Sequence, residues 1–229
     1  MDPREQMIAE IEAEARETGY MTGRPVFQPR VLQAIRRVRR EEFVPEAGEA
    51  AAYANRPYGI GHGQTISQPY IVALMTDLLD LTEHSKVLEV GTGSGYQAAV
   101  LAQLAEHVWS VEVVEALSQR AARVLAAEGY TNVTLRVGDG SEGWPEEAPF
   151  DAIIVTAAAP EVPPKLLSQL RAPGRMVVPV GRSPGTQELW LIEKDAAGAE
   201  SRAGVLPVAF VPLVGAGIDR GGRGRATDE

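Results

Sequence analysis

The sequence predicts an α/β fold built on a doubly wound, mostly parallel sheet, with helices ahead of it and an antiparallel hairpin at its end. Three observations carry that expectation. From residue 86 onward strand-like and helical periods alternate, with strands at 86–91, 108–113, 133–137, 150–155 and 175–180 and helices at 94–105, 115–128 and 163–171. The apolar run Lys86-Val87-Leu88-Glu89-Val90 stops at Gly91-Thr92-Gly93-Ser94-Gly95, where a helical pattern begins. The last two strand-like runs, 187–193 and 205–211, have no helix between them, so they should pair antiparallel.

The front of the chain reads as helical. Met7, Ile8, Ile11 and Ala15 fall at helical spacing within residues 4–18, and Pro25 and Pro29 interrupt the chain before a second helix at 30–40. In that helix Val31, Leu32, Ile35 and Val38 form the apolar side. The run Arg36-Arg37-Val38-Arg39-Arg40, followed by Glu41-Glu42, reads as its solvated face. Residues 58–70 read as a loop with three glycines that ends in a helix start, with Pro69 in the first turn and Ser67 as a cap. A hydroxyl at a helix N-terminus, beside unpaired N–H groups, is also placed to receive an anionic carboxylate. Residues 71–81 continue as an apolar-rich helix.

Length and composition bound the function. The 229 residues suffice for one core, so a single catalytic domain is expected over 1–229: a helical and substrate-loop region (1–81), a cofactor-binding α/β core (82–214) and a flexible tail (215–229). There is no cysteine, and His62, His84 and His107 lack metal-ligand spacing, so no metal is expected. The formal net charge of −9 argues against nucleic acid as a partner. No apolar run reaches the ~18 residues of a membrane span. The polar start Met1-Asp2-Pro3-Arg4-Glu5 has no signal-peptide core, so a cytoplasmic location is expected.

The glycine loop carries the cofactor argument. A loop turning sharply onto a helix needs residues that accept positive φ and let a ligand touch the backbone. A dinucleotide site would want its third glycine one place later than Gly95, where Tyr96 stands. S-adenosyl-L-methionine has no pyrophosphate, and a G-x-G-x-G loop preceded by an acid, here Glu89, suits it better. Glu112, which closes the next apolar run, can accept both ribose hydroxyls, although NAD sites place an acid similarly. The run 133–137 leads into Gly138-Asp139-Gly140, where Asp139 could take the adenine amino group. Three strand ends thus bring Glu89, Glu112 and Asp139 to one crevice, and Gly91, Thr92, Gly93, Ser94, Gly95 and Gly140 complete the predicted cofactor site. An NAD-dependent oxidoreductase, a methyltransferase acting on a small molecule or RNA, and a cofactor-binding regulator without catalysis are the rival readings.

Several blocks resemble one family. They are Arg40-Glu41-Glu42-Phe43-Val44-Pro45, Gly63-Gln64-Thr65-Ile66-Ser67-Gln68-Pro69, Val87 through Gln97 around the glycine loop, Gly138-Asp139-Gly140, Phe150-Asp151-Ala152-Ile153-Ile154-Val155-Thr156-Ala157-Ala158-Ala159-Pro160 and Phe210-Val211-Pro212-Leu213. Together they resemble the protein-L-isoaspartate O-methyltransferase family, in its order, from about residue 30 to about 215. The glycine loop marks S-adenosylmethionine methyltransferases broadly, whereas the blocks at 65–67 and 156–160 are more particular to this family. The segment 113–117 departs from the Arg-x-Pro-Glu-Leu wording often found there.

The resemblance implies a Rossmann-like fold and methyl transfer from S-adenosyl-L-methionine to the free α-carboxylate of L-isoaspartyl residues in damaged polypeptides, which opens a repair route. It carries the family's catalytic serine onto Ser67 and its cofactor acids onto Glu89, Glu112 and Asp139. The acceptor is expected as an extended segment against Thr65, Ile66, Ser67 and Gln68 and the loop of Thr156 and Ala157. Isoaspartyl peptides and proteins are the implied partners, and a monomer is expected. The chemistry agrees with the residues. A carboxylate is already ionised at neutral pH, so attack on a sulfonium methyl needs alignment rather than a strong base.

Overall fold

The computed structural model describes residues 2–183 and 185–215. Helix α1 (Pro3–Thr22) starts on Asp2, whose carboxylate accepts the Arg4 N–H at 2.8 Å, and stops at Gly23 in the left-handed region. It runs longer than its apolar stripe indicated, because only Met7, Ile8, Ile11, Ala15 and Thr22 are buried. Helix α2 (Pro29–Arg37) ends when Val38 turns extended, and a 3-10 turn, Arg40–Phe43, follows. This corrects one sequence expectation. Arg36, Arg37 and Arg39 do face outward, but Arg40 lies beyond the helix and is only 1% exposed.

After the short helix α3 (Glu49–Ala52), the predicted glycine loop is a small hairpin, β1 (Tyr58–Gly61) against β2 (Gln64–Ile66). Three glycines hid it, since glycine carries no strand signal. Helix α4 (Pro69–Leu78) gives a second correction: Gln68 occupies the cap position, and the Asn55 side chain accepts the Tyr70 N–H at 2.9 Å. Asn55 supplies the acceptor expected of Ser67, which leaves the serine hydroxyl available.

The main sheet is made of β3 (Lys86–Val90), β4 (His107–Glu112), β5 (Val133–Val137), β6 (Phe150–Val155), β7 (Leu170–Val180), β8 (Gln187–Lys194) and β9 (Glu200–Val208) in the order β5-β4-β3-β6-β7-β8-β9. Helices α5 (Tyr96–Ala102), α6 (Glu115–Ala127) and α7 (Pro164–Gln169) connect the strands. Pairs β5/β4, β4/β3, β3/β6 and β6/β7 are parallel, and β7/β8 and β8/β9 are antiparallel. The doubly wound sheet with its terminal hairpin therefore stands.

The largest departures from the periodicity are the starts of β7 and β9. Strand β7 begins at Leu170, because Leu170 pairs with Phe150 of β6 ahead of a register irregularity, and β8 joins on the other side only from Gly174. Strand β9 begins at Glu200, because Asp195 closes a tight turn by accepting the Ala197 and Ala199 N–H groups. Its first residues are exposed at the sheet edge and show no apolar pattern.

Successive strand residues point to opposite faces, and both faces are covered. On one side Val87, Val108 and Ile154 pack with Ile11, Ile35, Leu74 and Leu101 from the helices. On the other Leu88, Ile153 and Met176 pack with Phe150 and Leu166. Among the described residues no helix is long and apolar enough to cross a membrane. Apart from Gly215, the tail expected at 215–229 lies outside the described residues.

Candidate active site

Strand order reverses between β3 and β6, and in open α/β sheets a crevice forms there at the carboxyl ends of the strands. Gly91 leaves β3 and Thr156 leaves β6 side by side. The Thr156 N–H donates to the Val90 carbonyl at 2.9 Å, and its hydroxyl donates to the Gly91 carbonyl at 2.6 Å. Gly91 has φ +98°, and a Cβ there would stand 2.4 Å from the Thr156 hydroxyl oxygen. No side chain fits at that point, so the loop offers bare backbone to whatever enters.

Glu112, at the end of β4, reaches across to this loop. Its two carboxylate oxygens accept the Gly93 N–H at 2.8 Å and the Val114 N–H at 2.9 Å. Each oxygen has a second lone pair for a hydroxyl. Glu112 lines a chamber with Gln64, Thr65, Gly91, Gly93, Gly140, Thr156 and Ala157, closed on one side by Val211, Pro212, Leu213 and Val214. The C-terminal segment is pinned there because the Ala158 N–H donates to the Val211 carbonyl and the Leu213 N–H donates to Ala158, each at 2.8 Å.

Glu89 is not on the wall. It is fully buried one layer beneath the loop, where the Ser110 hydroxyl donates to Oε2 and also meets the Thr92 hydroxyl at 2.6 Å. Its Oε1 has no hydrogen-bond partner among the described residues. Burial pushes its carboxyl up to about 8, against the Ser110 hydrogen bond and with a small further push from the Glu112 charge. At neutral pH Glu89 is therefore largely protonated. Asp139 is occupied locally: its Oδ1 accepts the Ser141 N–H at 2.9 Å and the Ser141 hydroxyl at 2.7 Å, and Gly215 lies against the carboxylate. Gly95 turns inward, toward Ala121 and Leu125.

A second chamber adjoins the first. Thr65, Ile66, Ser67, Thr92, Ser94, Tyr96 and Gln97 line it together with Gly91, Gly93 and Thr156. Ser67 thus shares a wall with the glycine loop although 24 residues of chain or more separate them. Among the described residues none hydrogen-bonds to the Ser67 hydroxyl, and no histidine or carboxylate stands beside it as a base. Without such a base the hydroxyl is not activated for attack, but it can donate a hydrogen bond. Gln68 is directed elsewhere, since its amide donates to Glu14 of α1 at 2.9 Å.

Sequence reasoning missed Gln64, the closing segment 211–214 and Arg40, whose Nη2 donates to the Ser67 carbonyl at 2.7 Å. The block Phe210-Val211-Pro212-Leu213 was a signal for the segment. Nothing in the local pattern marked Arg40 as buried.

A backbone cradle without side chains, a carboxylate with free lone pairs at the neighbouring strand end and Gly140 at the next fit S-adenosyl-L-methionine. The comparisons agree with this geometry. The family model described as protein-L-isoaspartate(D-aspartate) O-methyltransferase matches residues 16–217. Protein-L-isoaspartate O-methyltransferase 2 of Syntrophobacter fumaroxidans is 56% identical over 212 residues, covering 93% of this chain and 86% of the relative. The protein of the same name from a Polaromonas species is 56% identical over 209 residues, covering 91% and 99%. A solved protein-L-isoaspartate O-methyltransferase superposes with TM-score 0.76 at 28% identity, covering 93% of this chain and 66% of that one. A Plasmodium falciparum structure, described as a complex with S-adenosyl-L-homocysteine, has TM-score 0.76 at 22% identity over 93% of this chain and 99% of that one, which supports the fold. The chain belongs to the protein-L-isoaspartate(D-aspartate) O-methyltransferase family.

Proposed function

We propose that this chain methylates the free α-carboxylate of L-isoaspartyl residues in damaged polypeptides, with Ser67 orienting the acceptor and Glu112 and the glycine loop holding S-adenosyl-L-methionine. The observation that carries the assignment of roles is the wall of Thr65, Gly91, Gly93 and Thr156 common to both chambers. S-adenosyl-L-methionine supplies a methyl group on a positively charged sulfur, open to in-line displacement by a carboxylate. Glu112 accepts from the ribose hydroxyls while its bond to Gly93 N–H fixes the loop. Thr92, Ser94 and Gly95 shape that loop, and Asp139 with Gly140 flanks the adenine end. Glu89 acts from below: uncharged, it braces the loop through Ser110 and Thr92.

On the acceptor side the Ser67 hydroxyl donates to one carboxylate oxygen and leaves the other to react. Thr65, Ile66, Thr156 and Ala157 line the approach. Gln68 contributes through its main chain, since its amide is engaged with Glu14. No general base is required, because the acceptor arrives ionised, and no serine ester forms. The methyl ester is a better leaving group than a carboxylate. The next backbone nitrogen displaces methanol to close a succinimide, whose hydrolysis returns some normal aspartate. The net charge of −9 fits polypeptide rather than nucleic-acid acceptors, and action as a cytoplasmic monomer belongs to the same reading.

Two peptides differing only in an isoaspartyl or a normal aspartyl linkage, incubated with radiolabelled S-adenosyl-L-methionine, test the function. Label should enter only the isoaspartyl peptide. Equal labelling of both, or of neither, refutes the reading.

A further inference from the structure

Arg40 is among the largest fully buried side chains of the molecule, and the roles proposed above give it no task. Its Nε donates to the Ala52 carbonyl and its Nη2 to the Ser67 carbonyl, both at 2.7 Å. Its guanidinium lies over the Tyr96 ring, 4.6 Å from the centroid, and Tyr96 is itself 1% exposed and edge-on to Phe43. Among the described residues no carboxylate forms an ion pair with it. The adjacent acids are committed elsewhere, Glu41 to Tyr53 and Arg4 and Glu42 to Arg39.

A buried cation without an acid partner is costly, and carbonyls and an aromatic face offset only part of the desolvation. Stability alone is a poor reason to keep it, since an apolar side chain of similar volume would fill the space. Its two hydrogen bonds run in fixed directions from one planar group, a geometry that lysine cannot reproduce. They tie α3 to the residue that bears the acceptor-binding hydroxyl. The stacked ring ties the same group to the first residue after the glycine loop. One side chain thus spans the acceptor side and the cofactor side of the site.

We propose that Arg40 is a positioning residue for methyl transfer: it fixes the Ser67 main chain against the glycine loop, and its unpaired positive charge favours an anionic carboxylate as the acceptor. The inference rests on Ser67 being the acceptor-binding residue. The two effects separate kinetically. Misplacing the acceptor by an ångström lowers the rate of the chemical step. The charge acts differently, because the acceptor loses its negative charge as the ester forms. A nearby cation therefore stabilises bound acceptor more than transition state, so losing it raises KM and does not itself lower kcat.

The experiment compares wild type, Arg40→Lys, Arg40→Met, Ser67→Ala and the double variant Arg40→Lys/Ser67→Ala. It measures kcat and KM for an isoaspartyl peptide, the Kd of S-adenosyl-L-homocysteine by calorimetry and the melting temperature. Arg40→Lys should lower kcat about tenfold or more while peptide KM and the calorimetric Kd stay within about twofold. Arg40→Met should show a kcat loss no larger than that of Arg40→Lys and, in addition, a peptide KM raised about fivefold or more. The double variant should be no slower than Ser67→Ala, because Arg40 acts through that residue.

A folded Arg40→Lys with wild-type kcat overturns the proposal. So does a calorimetric Kd that weakens in step with kcat, or a double variant whose losses multiply. If neither single Arg40 variant folds, Arg40 serves stability alone and the proposal also falls. If Ser67→Ala retains wild-type kcat, the assignment of Ser67 fails first, and that result is read independently of Arg40.

Discussion

Replacing Glu89 with glutamine keeps the shape of the side chain and an acceptor for the Ser110 hydroxyl, and removes only the ability to ionise. In the folded chain this carboxyl titrates at about 8, against 4.5 ordinarily, chiefly because it is fully buried. A raised folded-state pKa means that the folded protein holds the proton more tightly than the unfolded chain. The stability so gained is complete below about pH 4.5 and is lost as pH rises toward and through about 8. Between pH 5 and pH 8 wild type should therefore lose about 3 kcal/mol that the glutamine variant does not lose. Other titrating groups are common to both proteins and cancel in the comparison. Urea denaturation of the two ligand-free proteins across this range supplies the numbers, with the variant gaining on wild type as pH rises. Parallel stability curves would refute the argument, and would mean that Glu89 ionises freely despite its burial.

Two further predictions concern the site itself. Ser67→Ala should lower kcat while leaving the affinity for S-adenosyl-L-homocysteine nearly unchanged, as read by steady-state kinetics with calorimetry; wild-type turnover would remove Ser67 from the mechanism. Gly91→Ala forces a side chain into a left-handed φ of +98° and to 2.4 Å from the Thr156 hydroxyl, whose bond to the Gly91 carbonyl must then give way. The expected loss is about 2–4 kcal/mol in urea denaturation, with weaker cofactor binding, and a loss below about 1 kcal/mol would show that the loop relaxes freely.

The elements legible in the sequence are those with a strong local period. Strand β6 falls where its apolar run does, since a central parallel strand covered on both faces is mostly apolar, and β5, at the sheet edge, is still marked by Val133, Leu135 and Val137 in alternation. The exposed first half of β9 and the hairpin β1/β2 are not visible in the sequence, because exposed or glycine-rich strands owe their place to a partner rather than to their own pattern. The candidate site divides in the same way. Gly91, Gly93 and Glu112 sit where strand-end reasoning put them, as turns and strand ends are local features. Glu89 is also at its strand position, but its side chain points into the layer below the crevice.

By itself the sequence determined the order of the elements, the glycine turn and the acids at successive strand ends, all of which follow from residue spacing over a few positions. Tertiary structure decided which polar groups are dry. Arg40 and Arg39 are neighbours in the same basic run, yet one is buried on Tyr96 and the other pairs with Glu128 at the surface. Asn55, which lies outside α4, supplies the side-chain acceptor for the Tyr70 N–H and leaves the Ser67 hydroxyl available. Burial depends on what the whole chain brings alongside a residue, and no local pattern encodes it. It is burial that keeps Glu89 protonated and sets the Arg40 guanidinium against the Ser67 carbonyl, away from solvent.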